Sequence, residues 1–329
     1  MVNLKTSYLG LELKNPLIVS SGPLTNTVGS VVELEQAGAS AVVLRSIFEE
    51  QIRSDVSEMV AALEGDTSGA AMEYLRADLP GQLGPETYLE MIAEMRKRVK
   101  IPIIASVNCI EASKWVAYAK KIERAGADAL EINLYHMPID PDETSDRVEA
   151  RRMALVKAVV AEVKLPVAVK LSYHYTALLP FARMLDALDV RGLVLFNRFL
   201  QTDVNIKKEA ISFVTNYSSP QALHSQLRWT AVLRDWVRCS IAVSGGIHSG
   251  DELVKALLVG ADVGYIYSVL HGRRGLAAIR EILDGLSAWM AEKGYGALPD
   301  FRGKLRETDL RDGRGFERSQ YVKTAASIS

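Results

Sequence analysis

Cysteine is scarce. The chain of 329 residues holds two, Cys109 and Cys239, too few for a disulfide scaffold and too few to build a metal-ligand cluster. An excess of either charge is missing too. Lys plus Arg is 39 against 40 for Asp plus Glu, a net charge of about −1, which gives no support to a basic nucleic-acid surface or an acidic tail. The local clusters Arg273-Arg274 and Arg311–Arg318 read as a solvated face and a solvated tail. The opening residues, Met1-Val2-Asn3-Leu4-Lys5, lack an apolar stretch of signal-peptide kind. Nowhere is there a run of about 18 apolar residues, so no spanning helix is expected. These absences predict a soluble cytoplasmic protein, bound neither to nucleic acid nor to a membrane.

What is present is apolar substance in a repeating order. Apolar residues make up 48% of the chain, enough for a sizeable core. One phrase recurs: Ala37-Gly38-Ala39-Ser40-Ala41-Val42-Val43-Leu44, then Ala125-Gly126-Ala127-Asp128-Ala129-Leu130-Glu131-Ile132, then Val259-Gly260-Ala261-Asp262-Val263-Gly264-Tyr265-Ile266, with a weaker copy at 188–195. Each full copy places a glycine where a helical pattern stops, followed by a short apolar strand. A second phrase, Val99-Lys100-Ile101-Pro102 and Val163-Lys164-Leu165-Pro166, opens a strand with proline.

Together these give eight strands, near 16–21, 41–45, 102–107, 129–133, 166–171, 192–197, 240–244 and 263–267, with helical patterns between them. Strands alternating with helices eight times predict a parallel (β/α)₈ barrel in a single domain, 1–310. An open doubly wound sheet is the runner-up; no Gly-x-Gly-x-x-Gly follows the first strand to support it. The segment "SYLGLELKNP" predicts a hairpin before the first strand, residues 47–84 a long insertion after the second, and 311–329 a polar tail.

The stretch "EINLYHMPID" shows where chemistry gathers. An apolar run ends in Asn133, Tyr135 and His136. In this fold the carboxyl ends of the strands line the active site. The other ends are Ser20-Ser21-Gly22, Arg45-Ser46, Ser106-Val107-Asn108, Lys170 with Ser172, Asn197-Arg198, Ser244-Gly245-Gly246 and Tyr267-Ser268. Any one of these has a plain explanation as a turn or a solvated charge. Eight polar ends on one rim point to a site. Lys170 closes an apolar run, and a buried amine requires a partner. The Gly245-Gly246 turn lies just before a helix start near Ser249, a place suited to a phosphate.

"NPLIVSSG", the Asn133-Leu134 strand end, "VAVKL", Asn197 and "VSGGI" together resemble the dihydroorotate dehydrogenase family, the FMN-dependent (β/α)₈ barrels of pyrimidine metabolism, in their soluble class. The resemblance runs from the hairpin to "ALPDFRGKL" near 297–305. It implies a flavin against Ser20, Ser21 and Gly22, with Ser46, Asn108, Asn133 and Asn197 at its polar edge. It implies Lys170 near N1/O2, where positive charge favours the reduced anion. The FMN phosphate would rest on backbone N–H groups around Ser219, Gly245, Gly246, Tyr267 and Ser268; the family has Gly-Thr or Gly-Ser where this chain has Tyr267-Ser268, a change that backbone donors survive.

The substrate side departs further. The family's Asn-Leu-Ser-Cys-Pro-Asn is here Asn133-Leu134-Tyr135-His136-Met137-Pro138, which puts His136 at the base position and removes an amide that would bind a pyrimidine. Arg45 and Arg198, with Tyr135, would face a small anionic substrate, dihydroorotate or a related compound. A homodimer is implied by analogy, and a partner iron–sulfur subunit stays open, the electron-transfer partner being unknown. Two rivals stay open on the residues alone. One is a Schiff-base lyase or aldolase with Lys170 as nucleophile. The other is a flavin-binding protein without catalysis.

Overall fold

The computed structural model describes residues 2–48, 84–108, 112–134, 139–198, 201–214, 217–306, 321–322 and 326. In chain order its elements are β1 (Thr6–Tyr8), β2 (Leu11–Leu13), β3 (Leu17–Val19), α1 (Val28–Ala37), β4 (Ala41–Val43), β5 (Ile47–Phe48), α2 (Pro85–Arg98), β6 (Ile103–Asn108), α3 (Ala112–Ala125), β7 (Ala129–Asn133), α4 (Ser145–Glu162), β8 (Val167–Leu171), α5 (Leu178–Ala187), β9 (Gly192–Leu195), β10 (Gln201–Asn205), β11 (Ala210–Val214), α6 (Leu223–Leu233), β12 (Ser240–Ser244), α7 (Gly250–Leu258), β13 (Val263–Ile266) and α8 (Ala277–Lys293).

The repeated phrases explain how the elements are joined. Gly38, Gly126 and Gly260 have φ of 114°, 98° and 108°, the left-handed backbone that stops a helix. Behind each, an alanine N–H reaches back five residues: Ala39 to the Leu34 carbonyl, Ala127 to Ile122 and Ala261 to Ala256. The aspartate of the phrase then holds the neighbouring strand. Asp128 accepts from the Ile103 N–H and Asp262 from the Ile241 N–H, both at 2.8 Å. The two prolines sit where their missing N–H is not needed, and their carbonyls pair outward: Val42 N–H donates to Pro102 and Leu130 N–H to Pro166.

Strands β3, β4, β6, β7, β8, β9, β12 and β13 pair in parallel, in that order, and the ring closes through β13 on β3. A helix follows each, so the chain is a (β/α)₈ barrel. β5 continues the line of β4 and pairs with β6. The first two residues of the expected insertion therefore still belong to the sheet, because Ile47 is buried there. The rest of that insertion and nearly all of the tail lie outside the described residues. One element was not anticipated, the antiparallel pair β10–β11 after the sixth barrel strand.

The outer faces of the strands pack under the helices, with Trp115, Tyr88 and Phe181 among the largest side chains fully enclosed there. The inner faces are lined by Ala41, Ala129, Ala168, Ala242, Val194 and Val263. Such small residues leave space, and the β1–β2 hairpin fills it. Tyr8, Leu9 and Leu13 pack into the amino-terminal mouth of the barrel. Gly192 makes room for this plug, since a Cβ there would lie 2.4 Å from Leu9 Cδ2. Burying a leucine side chain contributes roughly 1.5–3 kcal/mol.

Candidate active site

Strand register builds the carboxyl rim. Asn108 is level with Asn133, and Asn133 with Lys170, so three neighbouring strands end in a continuous polar row. The row continues to β9, where the Asn197 N–H donates to the Leu171 carbonyl at 2.6 Å. The Asn197 side chain turns back, and its Nδ2 donates to Asn133 Oδ1 at 2.8 Å. Asn108 and Lys170 are buried, while Asn133 and Asn197 are partly open.

On the other side of the rim stand hydroxyls. Ser46 N–H donates to Ser21 Oγ at 3.1 Å, and the Ser46 and Ser106 hydroxyls are 2.7 Å apart. Tyr88 reaches in from α2 to fix this end of β6. Its hydroxyl accepts from the Ser106 N–H at 3.1 Å and donates to the Ser106 carbonyl at 3.3 Å. Ser20 is buried, its N–H bonded to the Ile266 carbonyl. Gly22 carries the Tyr267 ring directly on its backbone: a Cβ would lie 2.1 Å from Tyr267 Cε2.

A third group forms around the glycine turn after β12. Gly245 and Gly246 have φ of 95° and 83°, and both require glycine. Gly246 N–H donates to Ser218 Oγ at 3.1 Å, and that hydroxyl donates to Ser268 Oγ at 3.1 Å. Ser268 Oγ also accepts from the Ser218 N–H at 2.8 Å, which leaves its own hydrogen to donate to a further group. The hydroxyl in this network belongs to Ser218, which the sequence did not single out; its neighbour Ser219, expected to contribute a backbone N–H, has an exposed side chain. A "Ser-Ser-Pro" ahead of a helix gives no means of choosing between them. The start of α7 does not offer an open anion site, because Glu252 turns back and takes the Ser249 hydroxyl at 2.7 Å. The hydrogen this cluster leaves to meet an anion is that of the Ser268 hydroxyl.

The second residue missed by sequence reasoning is Glu131. It lies one layer below the rim on β7 and is fully buried, with Oε1 3.8 Å from Lys170 Nζ. An acid inside an apolar run was the signal. Burial raises its carboxyl above the ordinary range, and the Lys170 charge opposes that rise. Tyr265 stands beside it and is hydrogen-bonded to Tyr8 at 3.0 Å.

Not every expected residue is brought into this arrangement. Tyr135 and His136 lie outside the described residues, as does Cys109. Arg45 is partly buried at the end of the second barrel strand, and Arg198 is exposed beyond the sixth. Cys239 sits just before β12, at the opposite end of the barrel, where burial pushes its thiol up. Among the described residues no helix is long and apolar enough to cross a membrane.

A sequence model of the family described as dihydroorotate dehydrogenase matches residues 3–290. The chain belongs to the dihydroorotate dehydrogenase family. The match takes in the hairpin, every barrel strand and both glycines of the turn. Within the family, the chain is 24% identical over 313 residues to the catalytic subunit of dihydroorotate dehydrogenase B (NAD(+)) from Thermoplasma acidophilum, covering 92% of this chain and 99% of the relative. The corresponding subunit from Methanocaldococcus jannaschii is 27% identical over 321 residues, 92% of this chain and 98% of the relative. Dihydroorotate dehydrogenase A (fumarate) from Lactococcus lactis subsp. lactis is 26% identical over 321 residues, 92% of this chain and 99% of the relative.

Proposed function

We propose that this protein is an FMN-dependent oxidoreductase acting on a CH–CH bond of a small anionic substrate, dihydroorotate or a related compound. The observation that carries the reading is the row Asn108, Asn133, Lys170, with Asn197 bonded to Asn133, at the carboxyl rim of a barrel of this family. FMN, when bound, supplies at N5 the acceptor for hydride from the substrate.

The residues present fit that group. Amides, hydroxyls and one ammonium line a rim able to hold a flat ring with polar edges. The amides of Asn133 and Asn197 fix each other, so the orientation of both is set before any ligand arrives. Lys170 supplies positive charge toward N1/O2, with little water to screen it. Ser20, Ser21, Gly22 and Ser46 support the opposite face. Ser268 would offer its spare hydroxyl hydrogen to the terminal phosphate, with Gly245, Gly246, Ser218, Ser219 and Tyr267 around it.

On the substrate side, His136 exchanges the proton as the carbon–hydrogen bond breaks. A free imidazole titrates at about 6.5, a range suited to a base at neutral pH. Arg45, Arg198 and Tyr135 select an anion. Family membership favours this reading over the Schiff-base lyase, because the relatives are named as dehydrogenases. Those names differ in electron acceptor, NAD(+) or fumarate. The class of the first relative also makes a second, electron-transferring subunit a sensible partner to seek beside the homodimer.

The test is an absorption spectrum of the purified chain, repeated without oxygen after dihydroorotate is added. Flavin bands near 450 nm that bleach would support the whole proposal. Bands that persist would restrict it to a flavoprotein with another substrate. Absence of flavin after incubation with FMN would defeat it.

A further inference from the structure

Beneath Lys170 the barrel interior holds an acid that binding of a flavin does not call for. Glu131 is fully buried, and its distance of 3.8 Å to Lys170 Nζ is too long for a hydrogen bond. Among the described residues neither of its carboxyl oxygens makes a hydrogen bond of normal geometry, although the Tyr265 hydroxyl and the Lys170 ammonium lie close enough to oppose the rise that burial causes. The titratable groups around it are Lys170 on β8, Tyr265 on β13, Tyr8 on β1 and Tyr88 on α2. Level with it on β6 is Ser106, whose hydroxyl is engaged with Ser46 at 2.7 Å, and the inward side chains Ile18, Val43, Ile104, Val194 and Ala242 are apolar. An ionised carboxylate in such surroundings has lost its water and has in return one ammonium at 3.8 Å and a neighbouring phenol. A neutral carboxylic acid fits them far better.

The position also matters for charge. One ammonium cannot serve two anions fully. A carboxylate below Lys170 competes with whatever anion lies above it. We propose that Glu131 is a positioning residue that stays protonated at neutral pH, leaving the whole Lys170 charge to the ligand on the rim, and that its ionisation withdraws that charge. This rests on the reading of Lys170 as facing the flavin.

The experiment uses the full chain, E131Q and K170M. Infrared spectra of the flavin-free proteins come first. A carboxylic-acid carbonyl band is expected in the parent at neutral pH, shifted by deuterium, absent from E131Q and fading as the pH is raised. In K170M the fading moves to higher pH, because the charge that favours the carboxylate is gone. A parent spectrum matching E131Q at neutral pH would overturn the proposal. If E131Q does not fold, the parent and K170M decide it: no band in either, or the same fading in both, sinks it.

The second readout is sulfite binding to the FMN-loaded proteins. The sulfur lone pair forms a bond to N5 and the negative charge moves to N1/O2, so affinity reports positive charge there. Relative to E131Q, sulfite affinity of the parent is expected to fall by about tenfold from neutral to alkaline pH, the effect of one pKa unit of coupling. An E131Q that binds sulfite about tenfold tighter than the parent already at neutral pH would show Glu131 ionised throughout and overturn the proposal. Failure to bind FMN would defeat the proposed function while leaving the infrared result to stand or fall alone.

Discussion

Asn197 Nδ2 donates to Asn133 Oδ1 at 2.8 Å, and this bond joins the ends of β7 and β9 across the end of β8. Lys170 emerges from the strand that the bond spans. The bond uses one donor of Asn197 and leaves the Asn133 amide hydrogens to point elsewhere.

Replacing Asn197 by leucine removes that constraint and leaves the Asn133 oxygen without its partner. FMN affinity is expected to fall about tenfold, matching the ~1–1.5 kcal/mol net value of such a hydrogen bond. Quenching of flavin fluorescence during titration measures it. An unchanged dissociation constant would remove the pair from the binding site.

Lys170→Met removes the charge proposed to favour the reduced flavin. Loss of a single preorganised electrostatic donor typically costs about 10²–10³-fold in kcat. Redox titration of the bound flavin should show a more negative midpoint potential. Equal potentials in parent and variant would place the lysine away from the ring.

The two glycines of the turn should respond unequally to alanine. Both have positive φ, but a Cβ on Gly246 would lie 2.6 Å from the Leu223 backbone nitrogen, whereas on Gly245 the nearest atom is Gln226 Nε2 at 3.6 Å. Gly245→Ala should therefore cost about 1–2 kcal/mol for backbone conformation alone, and Gly246→Ala clearly more. Chemical denaturation of the two variants tests the order, and the reverse order would contradict the packing of α6 against the turn.

His248 gives stability a pH dependence. Burial pushes its imidazole below the ordinary value, partly offset by hydrogen bonding with the Ser218 backbone and by Glu252. Its Nε2 is enclosed with no hydrogen-bond partner among the described residues. The folded chain thus binds a proton here less readily than the unfolded chain. Stability from this group is present above about 6.5 and is lost as the pH falls toward the lowered folded value. His248→Gln should flatten the difference between denaturation midpoints over that window. A variant that parallels the parent would show that the site contributes nothing.

Leu9→Ala should open a cavity under the barrel floor and cost about 2–5 kcal/mol, read as a lower melting temperature. Gly192→Ala attacks the same contact from the other side, because its Cβ would fall 2.4 Å from Leu9 Cδ2. Either variant with parental stability would show that the plug does not hold the interior.

The barrel was legible because its grammar is local. A glycine that stops a helix and a proline that opens a strand act within a few residues, so Gly38, Gly126, Gly260, Pro102 and Pro166 announced the alternation. The role of Asp128 and Asp262 in holding the next strand was not legible, since it depends on which strand lies alongside. The rim could be listed from strand ends, but its internal bonding could not. Nothing in the sequence joins Asn133 to Asn197 or prefers Ser218 to Ser219, because those choices are made by register and turn geometry. Glu131 was passed over as one polar letter in an apolar run. Only the parity of β7 turns it inward, beneath Lys170.

The hairpin plug makes the barrel a vessel with a floor. Tyr8, Leu9 and Leu13 close the end remote from the polar rim, so among the described residues Glu131 and the buried phenols have no lower doorway to solvent. On the proposed reading, substrate, cofactor and protons would all pass through the same upper opening. A chain shortened to begin at β3 would be a tube instead, and its buried layer would meet water from below.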